Sequence, residues 1–211
     1  MPKTVLLYTD IKSPYAYVAQ AAAYQLAADY DIDLRWLPYT LDIPSYLGSV
    51  DDRSPHHWRR VRYSYMDARR YANKQGLTLK GPEKIFNSRP AQIGLLYAEQ
   101  QGALRPYLDL AFELFWKRAF DLEDASAVAT VLQRAGADAA GFDAYAAGEG
   151  GTRHDRIRDE AEVAGVFGVP MFVVDGELFW GGDRIGLVRE RLDALGVARR
   201  RSAIGITNDI T

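Results

Sequence analysis

Cysteine is absent from this chain of 211 residues. No disulfide can form and no side chain can act as a thiolate. Cysteine-based redox, thiol-protease and cysteine–metal chemistry are therefore excluded. Histidine is nearly as scarce, with His56, His57 and His154 the full set of three. Two of these are neighbours whose rings point different ways on a helix or strand, and no H-E-x-x-H pattern occurs, so no metal site is expected. Net charge is also lacking: 26 Lys and Arg against 28 Asp and Glu leave −2. No global basic field draws the chain to nucleic acid or to an anionic membrane, and neither is an expected partner. No apolar run is long enough to span a bilayer. Met1-Pro2-Lys3-Thr4 passes directly into a strand-like run, without a basic-then-apolar leader. The expected location is the cytoplasm.

What is present is a clear order of elements. Val5-Leu6-Leu7-Tyr8 is an apolar run of strand formers. It ends at Asp10, and Ser13-Pro14 follows, a favoured N-cap and a favoured first helical residue. Pro14 to Tyr30 is Ala-rich and free of glycine, which predicts a helix. Asp31 to Leu37 alternates polar and apolar residues, which predicts a second strand, closed by Pro38. Such a β-α-β opening implies parallel strands and a right-handed crossover. Leu41 to Pro55 reads as loop. His56 to Gln75 reads as a helix dense in Arg and Tyr, and Leu77 to Pro90 as irregular chain. Helical patterning then covers Pro90–Gln101, Leu104–Ala119, Asp124–Arg134, Asp138–Ala147 and His154–Ala164, with Gly102, Gly136 and Gly165 where C-terminal caps belong. Pro170 to Val174 is a strand, Asp175-Gly176 a two-residue hairpin turn, and Glu177 to Trp180 the return strand. Asp183 opens a last helix that runs to about Leu195.

The expected fold is thus α/β. Residues 1–40 and 166–198 form a four-stranded β-α-β … β-β-α core, residues 41–165 a large all-helical insertion, and residues 199–211 a basic-then-polar tail that is poorly ordered.

That order, together with five short motifs, resembles the DsbA-like branch of the thioredoxin superfamily. More narrowly, it resembles the hydroxychromene-carboxylate isomerase and kappa-class glutathione transferase family. Ser13-Pro14-Tyr15-Ala16-Tyr17 matches S-P-Y-A/S-Y. Arg60, Tyr63, Asp67 and Arg70 resemble a K-x-x-Y-x-x-x-D-x-x-R helix. Phe86-Asn87-Ser88 and Ala91 match the motif before the next helix. Gly165 to Pro170 matches G-V/A-F-G-V/L-P, and Trp180-Gly181-Gly182-Asp183-Arg184 resembles F-x-G-S/Q/N-D-R. Arg60 stands where the family often has lysine, and Gly182 where a side-chain donor is common.

The resemblance implies glutathione as the bound thiol and a thioredoxin-like core. Ser13 alone reads as an N-cap. In the resembled fold it holds the place of a thioredoxin's nucleophilic cysteine, where unpaired N–H groups and the macrodipole favour a sulfur anion. With serine there, the thiolate comes from glutathione and the hydroxyl donates to it. Pro170 alone reads as a proline opening a strand. The resemblance implies a cis Val169–Pro170 bond whose backbone pairs with the tripeptide as an added strand. Asp183 alone reads as the N-cap of the last helix. By resemblance it takes the γ-glutamyl ammonium, with Gly182 and Arg184 beside it. Arg59, Arg60, Arg62, Arg69 and Arg70 read as a solvated helical face, within which the family match places Arg60 near the glycyl carboxylate. Tyr15 and Asn87 are candidate substrate contacts, though Asn87 alone reads as a turn residue. Trp36, Trp58, Trp116, Tyr63, Phe86, Phe115 and Phe179 divide between core and an apolar pocket, in a proportion the sequence leaves open.

The implied activity is a glutathione-dependent cis–trans isomerisation of an aromatic-ring compound with a conjugated double bond. The nearest alternative is a kappa-class-like glutathione transferase. An alternative of another class is a non-catalytic DsbA-like ligand- or protein-binding module. The expected partner is a small aromatic substrate, and the family implies a homodimer.

Overall fold

The opening apolar run forms β1, Lys3–Thr9, and its register runs parallel to β2, Ile32–Pro38, with Val5 opposite Leu34 and Leu7 opposite Trp36. Between them lies α1, Pro14–Asp29. Its buried residues, Ala16, Tyr17, Ala19, Gln20, Ala23 and Leu26, recur at helical spacing. In this computed structural model residues 1–47, 50, 51 and 53–199 are described.

After β2 come α2 (Ile43–Leu47), α3 (Pro55–Lys74), α4 (Arg89–Gln100), α5 (Leu104–Trp116), α6 (Ala125–Arg134), α7 (Phe142–Ala147) and α8 (Glu149–Val163). The chain then returns as β3, Met171–Val174, and β4, Glu177–Trp180, before α9, Ile185–Ala194. The sheet order is β2-β1-β3-β4, with β3 antiparallel to both β1 and β4. Elements from the two ends of the chain therefore complete one four-stranded sheet, as the β-α-β … β-β-α order predicts. Asp175 and Gly176 take φ of 55° and 81°, the two left-handed positions that a tight hairpin requires. β3 is buried along its whole length, which is why its sequence, MFVV, lacks alternation.

Several boundaries differ from the sequence expectation. Within Leu41–Pro55, read as loop, α2 forms because Asp42 Oδ1 accepts the Ser45 N–H at 3.3 Å, a local cap; residues 48, 49 and 52 of that stretch lie outside the described residues. Helix α8 starts at Glu149 rather than His154 and takes in Gly150 and Gly151. A Cβ on Gly150 would lie 2.3 Å from the Tyr145 ring and 2.9 Å from Ile93 Cγ2. The glycine marks close helix packing, not a break. Asp183 does not cap the last helix: Gly182–Arg184 form a 3-10 turn, and α9 begins at Ile185 with no side-chain cap bond. Of the predicted tail 199–211, Arg199 pairs with Tyr30 in an isolated bridge and with the Asp193 carboxylate, and the remainder lies outside the described residues.

The core runs unbroken from sheet to helices. Trp116, Tyr107, Phe112, Phe142 and Phe172 are fully buried within it, and fully burying a large apolar side chain contributes about 1.5–3 kcal/mol. Among the described residues no helix is long and apolar enough to cross a membrane.

Candidate active site

The site grows from the start of α1. Ser13 is extended, with φ −84° and ψ 118°, and its Oγ accepts the Ala16 N–H at 3.2 Å. Ser13 is also buried, and its hydroxyl donates to the Val169 carbonyl at 3.4 Å, across most of the chain's length. The Val169–Pro170 peptide bond is cis. The Pro170 carbonyl in turn accepts the Gly181 N–H at 2.9 Å, which ties the proline to the turn after β4. Ser13, Val169 and Pro170 thus meet at one end of the sheet. Among the described residues, the backbone N–H groups of Tyr15 and Val169 donate to no protein atom. Two unpaired donors beside a helix N-terminus are what an anionic, peptide-like ligand needs.

Gly182, Asp183 and Arg184 close the same corner. A Cβ on Gly182 would lie 2.7 Å from Ala19 Cβ on α1, so this turn sits directly on the helix that Ser13 opens. That contact explains why a side chain is missing here. Replacing Gly182 with serine is expected to cost about 1–3 kcal/mol by overpacking. It should lower the thermal midpoint by several degrees, which thermal unfolding would measure. Asp183 and Arg184 are half-exposed and paired with one another at 2.5 Å, so the aspartate's charge is already shared.

The other predicted residues lie on the helical side. Tyr15 donates from its hydroxyl to Asp67 Oδ2 on α3 at 3.1 Å. Burial, and then the Asp67 carboxylate, push its phenol up to about 12, so it stays protonated. Arg60 is on the exposed face of α3, where its carbonyl accepts the Ser64 hydroxyl at 3.0 Å. Asn87 is exposed and does turn work. Its Oδ1 accepts the Arg89 N–H at 3.1 Å as α4 begins, and its own N–H donates to Glu123 Oε1 at 2.6 Å.

The aromatic residues sort cleanly. Trp36 is core and packs on Tyr24, with ring centroids 5.4 Å apart, and Phe179 is core too. Trp116 stacks on Tyr17 and abuts Phe115, which meets Phe86 edge-on at 5.4 Å. Trp58 and Tyr63 are exposed on α3.

Sequence reading missed two polar groups beside Ser13. Asp10, fully buried, accepts the N–H groups of Lys12 at 3.1 Å and Leu41 at 2.8 Å, fixing the loop before Ser13. Lys12 buries its ammonium between Asp10 and the Phe86 carbonyl, at 3.5 and 3.1 Å. Nearby, Thr40 Oγ1 and His154 Nε2 are 2.9 Å apart, and His154 Nδ1 lies 3.0 Å from Asp155. Burial holds this imidazole below its ordinary value and so favours the neutral ring. With the carboxylate at Nδ1, that nitrogen carries the hydrogen and Nε2 accepts from Thr40. Each of these groups contacts a residue far away in sequence, and no local pattern announces them.

The DSBA-like thioredoxin domain family matches residues 4–193. The 2-hydroxychromene-2-carboxylate isomerase of Pseudomonas putida is 27% identical over 190 residues, covering 89% of this chain and 93% of that one. The enzyme of that name from Sphingobium xenophagum is 28% identical over 198 residues, covering 91% and 99%. A solved structure of 2-hydroxychromene-2-carboxylate isomerase superposes with a TM-score of 0.76 at 26% identity, covering 92% of this chain and 96% of the other. With nearly its whole length matched, this chain belongs to the DSBA-like thioredoxin domain family.

Proposed function

We propose that this chain is a glutathione-dependent isomerase that acts on an aromatic-ring compound with a conjugated double bond, in the manner its 2-hydroxychromene-2-carboxylate isomerase relatives are named for. One observation carries the reading: a buried serine hydroxyl at the head of α1, 3.4 Å from the carbonyl of a cis X–Pro bond, in a protein without cysteine. That corner is suited to a thiolate the protein itself cannot supply.

Bound glutathione would supply a sulfur nucleophile whose reversible addition makes the conjugated bond single long enough to rotate. Ser13 would turn its hydroxyl from the Val169 carbonyl toward the sulfur. Its present bond of 3.4 Å is long, so little is lost in the turn. The Tyr15 N–H and the head of α1 add positive potential there. The Val169 N–H and C=O present a strand-like edge for the tripeptide backbone. Asp183 would receive the γ-glutamyl ammonium, sharing its carboxylate with Arg184. Arg60 offers the glycyl carboxylate a cation from α3. The enzyme's own contribution is orientation and a lowered thiol pKa.

Titration calorimetry with reduced glutathione tests this. Saturable binding by the wild type is expected, and about tenfold weaker binding by Asp183→Ala, within the range of a charge-assisted bond. No heat and no thermal shift at millimolar glutathione would remove the reading. Product analysis then separates isomerase from transferase: glutathione returns unchanged in the first case and leaves as an adduct in the second.

A further inference from the structure

We infer that Phe167 and Trp180 form the platform on which the substrate's aromatic ring stacks, an assignment that rests on the isomerase reading and gives its substrate a place. Both rings are large, apolar and turned to solvent, at 57% and 46% exposure. They meet edge to face, with centroids 4.9 Å apart and planes at 64°. Such a pair presents one ring's face and the other's edge, the two surfaces aromatic ligands prefer.

Their position is what turns an exposed pair into a candidate subsite. Phe167 is two residues before Val169, and Trp180 two residues before Gly182. The strands bring these segments together: Trp180 pairs with Met171 in the β3–β4 register, and the Gly181 N–H donates to Pro170. The pair therefore borders the cis-proline corner that Ser13 contacts. The indole lies over the backbone of Gly168, where a Cβ would come within 2.9 Å of Trp180 Nε1. Glycine at 168 lets the ring settle on the chain between the platform and the cis bond. Side-chain alternation along β4 buries Phe179 and turns Leu178 and Trp180 the other way, so the exposure of Trp180 is set by the sheet.

The size of the surface favours a small ligand over a second protein. Half of two aromatic side chains is about 200 Å², well short of the roughly 800 Å² per partner that a stable interface buries. A bicyclic aromatic ligand matches the smaller figure.

The test uses the full chain and an unreactive bicyclic probe, 2-naphthoate, so that it is read without turnover. Its affinity should fall about tenfold in Phe167→Ala and in Trp180→Ala and about threefold in Trp180→Phe, while glutathione affinity stays within twofold in each. Both residues are exposed, so these variants should fold, and circular dichroism would check it. Unchanged naphthoate affinity in the alanine variants, or no naphthoate binding by the wild type, would overturn the assignment. So would a wild-type dimer in sedimentation equilibrium that Trp180→Ala makes monomeric, because a second copy would then cover the pair. Naphthoate binding that depends on both rings, with no glutathione binding at all, would overturn the glutathione reading alone. Glutathione binding with no dependence on the rings would overturn this assignment alone.

Discussion

Replacing Ser13 with alanine should lower turnover at pH 7 by about 10- to 100-fold while leaving glutathione affinity within about threefold. The two effects separate because they come from different atoms. On the proposed reading, affinity comes from the tripeptide's charges and backbone, met by Asp183, Arg60 and the Val169 edge. Turnover depends on the fraction of bound thiol that is ionised. A hydrogen bond to a charged group contributes about 1.5–3 kcal/mol, which is one to two pKa units. Losing the hydroxyl therefore moves the thiol up by that amount, toward its ordinary value near 8.5. Below that pKa, each unit removes about nine-tenths of the remaining thiolate, so the deficit should shrink as the pH is raised. Alanine also deletes the N-cap bond to Ala16, at a cost of about 1 kcal/mol in stability. That cost lowers the unfolding midpoint by a few degrees and leaves the folded protein intact at room temperature. A purely capping Ser13 would show the stability loss with no change in turnover or in its pH profile. The pH dependence of turnover in the two proteins, measured beside thermal unfolding, decides between these roles.

Much of the fold was legible because its signals are local. Ser13-Pro14 marks a helix start by backbone chemistry alone, and Asp175-Gly176 marks a hairpin by the two positive φ angles it supplies. The alternation of Asp31–Leu37 and the apolar run of β3 likewise report burial on one face and on two. What escaped was set by contacts between distant segments. The sequence pattern starts this helix at His154, yet Gly150 and Gly151 lie inside α8, with Tyr145 and Ile93 pressed against the first of them. Asp183 reads as a cap, yet the chain tightens into a 3-10 turn against Ala19 before α9 begins.

The site divides in the same way. Ser13 and Val169–Pro170 were visible through motifs, and the structure places them in contact. The buried pair of Asp10 and Lys12 was not visible. Lys12 finds its acceptor at Phe86, and Asp10 one of its donors at Leu41, each on a separate element. The exposure of Trp180 was equally silent, since an apolar residue in a strand pattern is ordinarily assigned to the core. Only the sheet's pleat turns Trp180 outward while burying its neighbour Phe179.

The largest stability loss is expected from Trp116→Ala, at about 3–5 kcal/mol. Trp116 is fully buried where the helices meet the first βα unit. Its ring stacks on Tyr17 of α1 with centroids 6.2 Å apart and planes 6° from parallel, and it also meets Phe115 and Tyr65. Removing it opens a void that Tyr17, Tyr65 and Phe115 cannot close without leaving their rotamers. Its Nε1–H also donates to the Ile11 carbonyl at 3.1 Å, in the loop between Asp10 and Ser13. Alanine leaves that buried carbonyl without its partner, adding to the cost. Phenylalanine refills most of the volume but not the hydrogen bond, so Trp116→Phe should lose only about 1–2 kcal/mol of stability. Urea unfolding of the three proteins would measure both differences. Because Ile11 sits within the loop that positions Ser13, Trp116→Phe should also loosen the site, reducing turnover more than the change in folded fraction accounts for. Turnover in Trp116→Phe equal to wild type would show that the indole merely fills space and that Asp10 alone holds the loop before Ser13, and a loss below about 1 kcal/mol in Trp116→Ala would show that its packing is not what holds the helices to the first βα unit.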